Sequence, residues 1–433
     1  MTPSPRHDRS TLTLAVVAFA VALSLVTART VRDVTVLGHP ELPRFGLRDF
    51  RDAVYYPVRA LLDGENPYRP TTYRARYPVG SKFPLYAPLV LAFDLPFGFL
   101  PERAAGVAHY AFNVVCILLL AWLSLRLAGV RSTTGTIALA AAIVFGRPGH
   151  TTLFTGECTA YVCLGIYLVF GWGVSRPWLA GLGLALAAMK PTFGVPLALL
   201  MLARRDQRRA LACGVVIAAA VSAPVLVAVV RAAGGVAPFL AAAVENYHTL
   251  GTAAETYSGG AVLALDATAF VARVLGRAPG AALSGLELVV TLAVLALGMA
   301  TAARAARADE ARPGGDDRRL VAPMVACLTI LLCVHHQAYD ALLLALPIAA
   351  LAYDRTAPGV GPRLRWLLLA LLLVPWVNYA ATYAFIERWQ PTGVTWGLIT
   401  SANGGALVAA WLLGVRVIFT ERDPPGAGSR PAD

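Results

Sequence analysis

Apolar runs of membrane-spanning length follow one another along most of the chain, separated by short polar connections. The runs 11–28, 84–100, 104–128, 134–147, 158–174, 177–203, 210–231, 281–303, 319–335, 340–353, 364–384 and 394–418 are each read as a transmembrane helix, because a hydrocarbon core of ~30 Å takes about 20 apolar residues. They do not alternate apolar with polar residues, which excludes a membrane barrel. The fairly apolar segment 258–276 is read as re-entrant or interfacial, since counting it as a span would put the basic cluster Arg304 to Arg319 outside. The pattern predicts an all-α polytopic membrane protein of about twelve transmembrane helices. Pro84, Pro88, Pro96 and Pro101, then Pro191 and Pro196, interrupt the runs between 84 and 203 and leave the local helix count open.

One polar segment stands apart, between Thr30 and Phe83. Within it, Phe50, Val54, Val58, Leu61 and Leu62 recur at spacings of three and four, so Leu47 to Asp63 is expected to form an amphipathic helix lying in the membrane interface. Gly64-Glu65-Asn66-Pro67 reads as its stop and turn. The resulting division is 1–28, N-terminus and first helix; 29–83, extracytoplasmic loop; 84–231, transmembrane core; 232–280, extracytoplasmic or re-entrant segment; 281–420, C-terminal helices; and 421–433, a disordered cytoplasmic tail.

Composition supports this reading: 433 residues, 57% hydrophobic and only 14% charged, with a mean hydropathy of +0.62, are too apolar for a soluble domain. The net charge of +12 does not indicate nucleic acid. The arginines sit in short connections, at Arg204 to Arg209, Arg304 to Arg319, Arg363 with Arg365, and Arg416 with Arg422, as the positive-inside rule requires of cytoplasmic loops. Arg6 and Arg9 place the N-terminus there too. Thr11 to Ala28 could be a cleaved signal peptide, but an uncleaved first helix is the better reading. The six cysteines show neither a CxxC pair nor ligand spacing with histidine, so no disulfide framework and no metal site is expected.

Four patches carry a likeness to a known family. They are Asp49-Phe50 to Tyr56 with Gly64-x-x-Pro67-Tyr68; Tyr77-Pro78 and Pro84-Leu85-Tyr86-Ala87-Pro88-Leu89; Ala180-Gly181 to Lys190-Pro191-Thr192; and His335-His336-x-x-Tyr339-Asp340. With these the chain resembles the bacterial polyprenyl-phosphate-sugar-dependent glycosyltransferases of the GT-C superfamily, in glycosyltransferase family 87, which includes mannosyltransferases and related arabinofuranosyltransferases. It departs from them at Gly156-Glu157, where Gly-Gln is expected. The resemblance implies a bacterial inner-membrane enzyme with an extracytoplasmic site and no cofactor. It would move a hexose, mannose or alternatively arabinose, from a polyprenyl-phosphate donor to the hydroxyl of a glycolipid or lipoglycan.

Such a transfer needs a base for the acceptor hydroxyl, and the resemblance assigns it to Asp49, with Asp52 one turn away as runner-up. The alternative for Asp49 is an N-cap of the loop helix. The donor phosphate needs cations, and the chain's two lysines are candidates: Lys82, otherwise snorkelling, and Lys190, otherwise paired between helices. His335, His336, Tyr339 and Asp340 are candidate donor contacts or a polar interfacial turn. Glu157 is either a substrate contact or a helix start. Tyr55, Tyr56 and Tyr68, with Tyr77, Trp376, Tyr379, Tyr383 and Trp389, offer sugar-stacking faces or an interfacial aromatic belt. Glu245 to His248 and Glu387 to Gln390 are further polar patches. A transporter or flippase, or a non-catalytic scaffold, would use the same residues differently. The transporter predicts repeats and deep charges, and no repeat is evident.

Overall fold

A computed structural model describes residues 5–35, 46–252, 264–276, 284–310, 320–355 and 360–420. The tail 421–433, Arg312, Arg318 and Arg319 of the basic cluster, and the Tyr383 and Glu387 side chains lie outside what is described. Among the described residues the chain is helical throughout, without strands. In order come α1 (Pro5–Thr35), a π-helix (Phe50–Tyr55) running into α2 (Tyr56–Leu62), α3 (Pro70–Arg76), α4 (Pro88–Gly98), α5 (Glu102–Leu127), α6 (Thr133–Phe145) and α7 (Arg147–Thr155). Next are α8 (Thr159–Trp172), α9 (Pro177–Ala188), α10 (Pro191–Ala203), α11 (Arg208–Ala232), α12 (Val236–Thr252), α13 (Ala267–Val274), α14 (Ser284–Glu310) and α15 (Val321–Cys333). A 3₁₀ turn (Ala338–Leu344), α16 (Ala345–Ala352), α17 (Pro362–Val377), α18 (Tyr383–Trp389) and α19 (Gly393–Thr420) complete it.

Among the described residues, five helices are long and apolar enough to cross a membrane: Arg9–Thr35, Glu102–Leu127, Arg205–Ala232, Gly285–Ala308 and Gly393–Thr420. The twelve apolar runs therefore do not each become one long helix. The run 134–147 ends at Gly146, where the chain turns by 70° into α7, and the two helices together make a sixth candidate span, broken or re-entrant. The run 177–203 breaks at Lys190, which is extended (φ −102°, ψ 105°) because a residue before proline is pushed out of the helical region, and Pro191 then opens α10. The run 84–100 yields only α4, stopped ahead of Pro101; of the segment 258–276 only 264–276 are described, and they hold the short α13.

Small residues let the central helices approach closely. A Cβ on Gly165 of α8 would lie 2.5 Å from the Gly183 carbonyl of α9, and one on Gly181 would lie 2.8 Å from Gly214 N of α11. These contacts build the layer from which Lys190 emerges. The loop helix forms where its stripe predicts, yet Phe50, Val54 and Val58 are buried by protein. Val58 meets α4 at Gly98, where a Cβ would come within 2.3 Å of Val58 Cγ1, and the Phe50 ring is 5.1 Å from that of His109 on α5. The protein itself covers the first part of the face expected to lie on lipid, while Leu62 at its end is 40% exposed.

Candidate active site

Gly156 positions the loop against the core. It closes α7 with φ +74°, a conformation open to glycine at little cost, and a Cβ there would fall 2.6 Å from Phe50 Cβ. Leu47 N donates to Phe154 O at 2.8 Å, which docks the start of the loop on the same turn. Asp49 thereby faces Thr155 and Glu157, whose charge it feels, while Thr155 Oγ1 itself donates to Thr151 O at 3.1 Å. Gly156→Ala should cost about 1–3 kcal/mol of stability, by forcing Phe50 and the loop start away from this turn. Melting curves of wild type and variant check this, and a variant that melts with wild type would show that the docking adds no stability.

Asp49 occupies the N-cap position of the π-helix, but its side chain makes no capping bond. Burial, then the neighbouring Glu157 carboxylate, push its pKa up to about 7, while Thr155 and Arg48 pull the other way. Asp52 behaves differently. It is buried; Oδ1 accepts from Gly80 N at 3.0 Å, Oδ2 is 3.5 Å from Arg48 Nε, and its backbone carbonyl accepts from Tyr73 OH at 2.9 Å. Burial raises its pKa too, opposed by the Gly80 N–H and Arg48. Asp52 thus fastens the loop helix to residues 80–81.

Behind Asp49 lies a buried charge cluster. Lys190 Nζ donates to Glu157 Oε1 at 2.9 Å, Asp340 Oδ1 at 3.0 Å and Thr159 Oγ1 at 3.3 Å. Its three hydrogens match these three acceptors. Tyr86 OH also donates to Glu157 Oε1, at 3.2 Å, and the Tyr339 ring centroid is 4.9 Å from the ammonium. Asp340 Oδ2 accepts from Gln337 N at 2.9 Å and faces His336 Nδ1 at 3.1 Å, and His336 Nε2 lies 3.3 Å from Thr192 O. The 3₁₀ turn, the α9–α10 break and the α7–α8 turn are joined at this point.

The sequence profile of glycosyltransferase family 87 matches residues 85–334, more than half of the chain. The chain belongs to glycosyltransferase family 87. The match takes in Tyr86, Glu157 and Lys190, and stops just before His335; Asp49 and Asp52 precede it. No curated protein and no solved structure matches this family 87 chain.

Of the residues singled out from sequence in this glycosyltransferase, Asp49, Glu157, Lys190, His336, Tyr339 and Asp340 come together. For Lys190 the paired state is the one observed, and His336 is fully enclosed. The others stand elsewhere. Lys82 donates to the Asn246 carbonyl of α12, and burial lowers its pKa to about 8. His335 Nδ1 lies 3.4 Å from Asp266, the cap of α13. Tyr55 OH donates to Leu100 O at 3.1 Å, Tyr56 OH to Glu102 at 2.7 Å and Tyr68 OH to Tyr86 O at 2.8 Å. Tyr55 and Tyr68 are buried and offer no open face to a sugar. Sequence reasoning passed over Tyr86, Thr155 and Thr159. Tyr86 stood inside a quoted patch, and the two threonines flank Gly156-Glu157.

Proposed function

We propose that this glycosyltransferase is an integral-membrane enzyme of the GT-C type that moves a hexose, taken as mannose, from a polyprenyl-phosphate donor to a glycolipid or lipoglycan hydroxyl with inversion. The single observation that carries this reading is the Asp49 carboxyl. It stands at the head of the loop helix, uncommitted to capping, with a pKa lifted to about 7. A base works best when its pKa lies near the operating pH. As the acceptor oxygen bonds to the anomeric carbon, the carbon–oxygen bond to phosphate breaks. The hydroxyl proton passes to Asp49, and polyprenyl phosphate leaves with the bonding pair. In this reading Glu157, Lys190 and Asp340 orient the wall behind the base and do not touch the phosphate. The loop faces outside the cytoplasm of a bacterial inner membrane, in keeping with the arginine-rich connections.

The test is sugar transfer by purified protein in nanodiscs, with polyprenyl-phosphate mannose or arabinose and a membrane-lipid extract. Transfer of mannose supports the reading, transfer of arabinose alone replaces the sugar, and transfer of neither sinks it. The pH dependence follows from Asp49. Only the ionised carboxylate accepts the proton, so kcat/KM should rise with pH through about 7. Glu157→Gln removes the charge that helps hold the pKa up, so the rising limb should move to lower pH. A limb that stays in place would mean that the titrating group is not Asp49.

A further inference from the structure

With Lys190 held by Glu157, Asp340 and Thr159, the leaving phosphate needs another cation. One stands on the other side of the Thr155 turn. Arg29 projects from α1 one turn before Asp33, whose carboxylate accepts from Gly46 N at 2.5 Å at the start of the loop bearing Asp49. Its guanidinium carbon lies 4.1 Å above the Phe154 ring, and its Nη1 is 2.7 Å from His150 Nε2. Phe154 is the residue whose carbonyl holds Leu47, and its neighbour Thr155 lies beside Asp49. Arg29 and Asp49 therefore reach the same turn of α7 from two directions.

We propose that Arg29, seated on Phe154 and His150, binds the phosphate of the polyprenyl-phosphate donor, a role that rests on the donor class inferred above. Arginine cannot accept a hydrogen bond, so His150 Nε2 is the acceptor and the imidazole proton sits on Nδ1 as a second donor. The guanidinium has five N–H groups, and one contact with His150 leaves others for phosphate oxygens. When the sugar departs, the phosphodiester becomes a phosphomonoester and gains negative charge. A fixed cation stabilises that charge most where it develops. Leu25 and Val21, one and two turns earlier on the same face of α1, are 59% and 46% exposed, so a phosphate at Arg29 leaves its isoprenoid chain among apolar side chains. Arg147, the other arginine nearby on α7, donates instead to the Asn378 and Ala381 carbonyls. Arg29 is exposed, as a snorkelling arginine would be, but its guanidinium is held against an aromatic ring and an imidazole.

The experiment measures binding of farnesyl phosphate to the full chain in phosphatidylcholine nanodiscs, for wild type, Arg29→Gln, Arg29→Lys and Asp49→Asn. Inorganic phosphate and phosphatidylglycerol serve as separate ligands, and wild type and Arg29→Gln are also assayed for transfer. Wild type and Asp49→Asn should bind farnesyl phosphate alike, and Arg29→Gln about tenfold or more weakly, the effect of one charge-assisted bond. Arg29→Lys should recover part of the loss, which shows that the site still folds. Unchanged affinity in Arg29→Gln overturns the assignment, as does equally tight wild-type binding of inorganic phosphate or phosphatidylglycerol. If wild type transfers sugar while Arg29→Gln keeps its KM for donor, the phosphate site is wrong and the enzyme reading stands. If wild type neither transfers nor binds, both fall.

Discussion

Asp49→Asn should lower sugar transfer about 10²- to 10⁴-fold while the protein folds and binds donor normally. The asparagine keeps the size and one oxygen of the side chain but cannot take up the acceptor's proton. Stability should not suffer, because Asp49 caps nothing. The sign of the pKa shift points the same way. A carboxyl whose pKa is raised on folding to about 7 opposes folding once pH exceeds its unfolded value near 4, so removing the charge relieves an unfavourable burial. At pH 7 the variant should therefore melt at or slightly above the wild-type temperature. Asp52→Asn is the control that separates the two loop carboxylates. Asp52 holds Gly80 and Arg48, and an amide oxygen can still accept from Gly80, so part of the activity should survive and part of the stability should be lost. Should Asp52→Asn be the dead variant and Asp49→Asn the active one, the base belongs one turn further on.

How much of this was legible in the sequence differs by length scale. Hydrophobic run length gave an all-helical membrane chain because the bilayer thickness fixes that signal locally. Pro191 announced the break in the 177–203 run, and the spacing of Phe50, Val54 and Val58 announced the loop helix. What covers that stripe was not legible, since lipid and a neighbouring helix are equally apolar and only packing on Gly98 and His109 decides between them. Lys190 illustrates the same limit at the site. Its isolation in an apolar run signalled that it must have partners, but those partners lie 33 and 150 residues away along the chain. No local pattern relates such positions. The role of Glu157 was hidden for a related reason: an acidic residue after a glycine reads as a helix start, whereas the left-handed turn at Gly156 aims it at both Lys190 and Asp49. Whether the loop tyrosines offer stacking faces or sit in an interfacial belt stayed open in the sequence, because the interfacial preference of tyrosine says nothing about which hydroxyl finds a buried carbonyl.

Lys190→Met should be the most destabilising of the single changes considered, by about 3–5 kcal/mol, because it removes one member of a buried ionic cluster and leaves the rest. Methionine matches the lysine stem in length, so little packing is lost and the effect is electrostatic. Glu157 and Asp340 would then face each other without the intervening ammonium in a site where all three side chains are no more than 5% exposed. Asp340 retains Gln337 N and His336, while Glu157 retains only Tyr86 OH and the Cys158 thiol. The α7–α8 turn carrying Glu157 should therefore loosen before the 3₁₀ turn carrying Asp340, and Asp49 docks on that looser turn. The triple variant Lys190→Met, Glu157→Gln, Asp340→Asn tests the cause. If uncompensated charge is what costs stability, neutralising both carboxylates should recover most of the loss. Thermal unfolding in nanodiscs of wild type, single and triple variants decides the matter. A single variant that melts with wild type would show the cluster to be energetically neutral. A triple variant no better than the single would assign the loss to the geometry of the hydrogen bonds rather than to the charge.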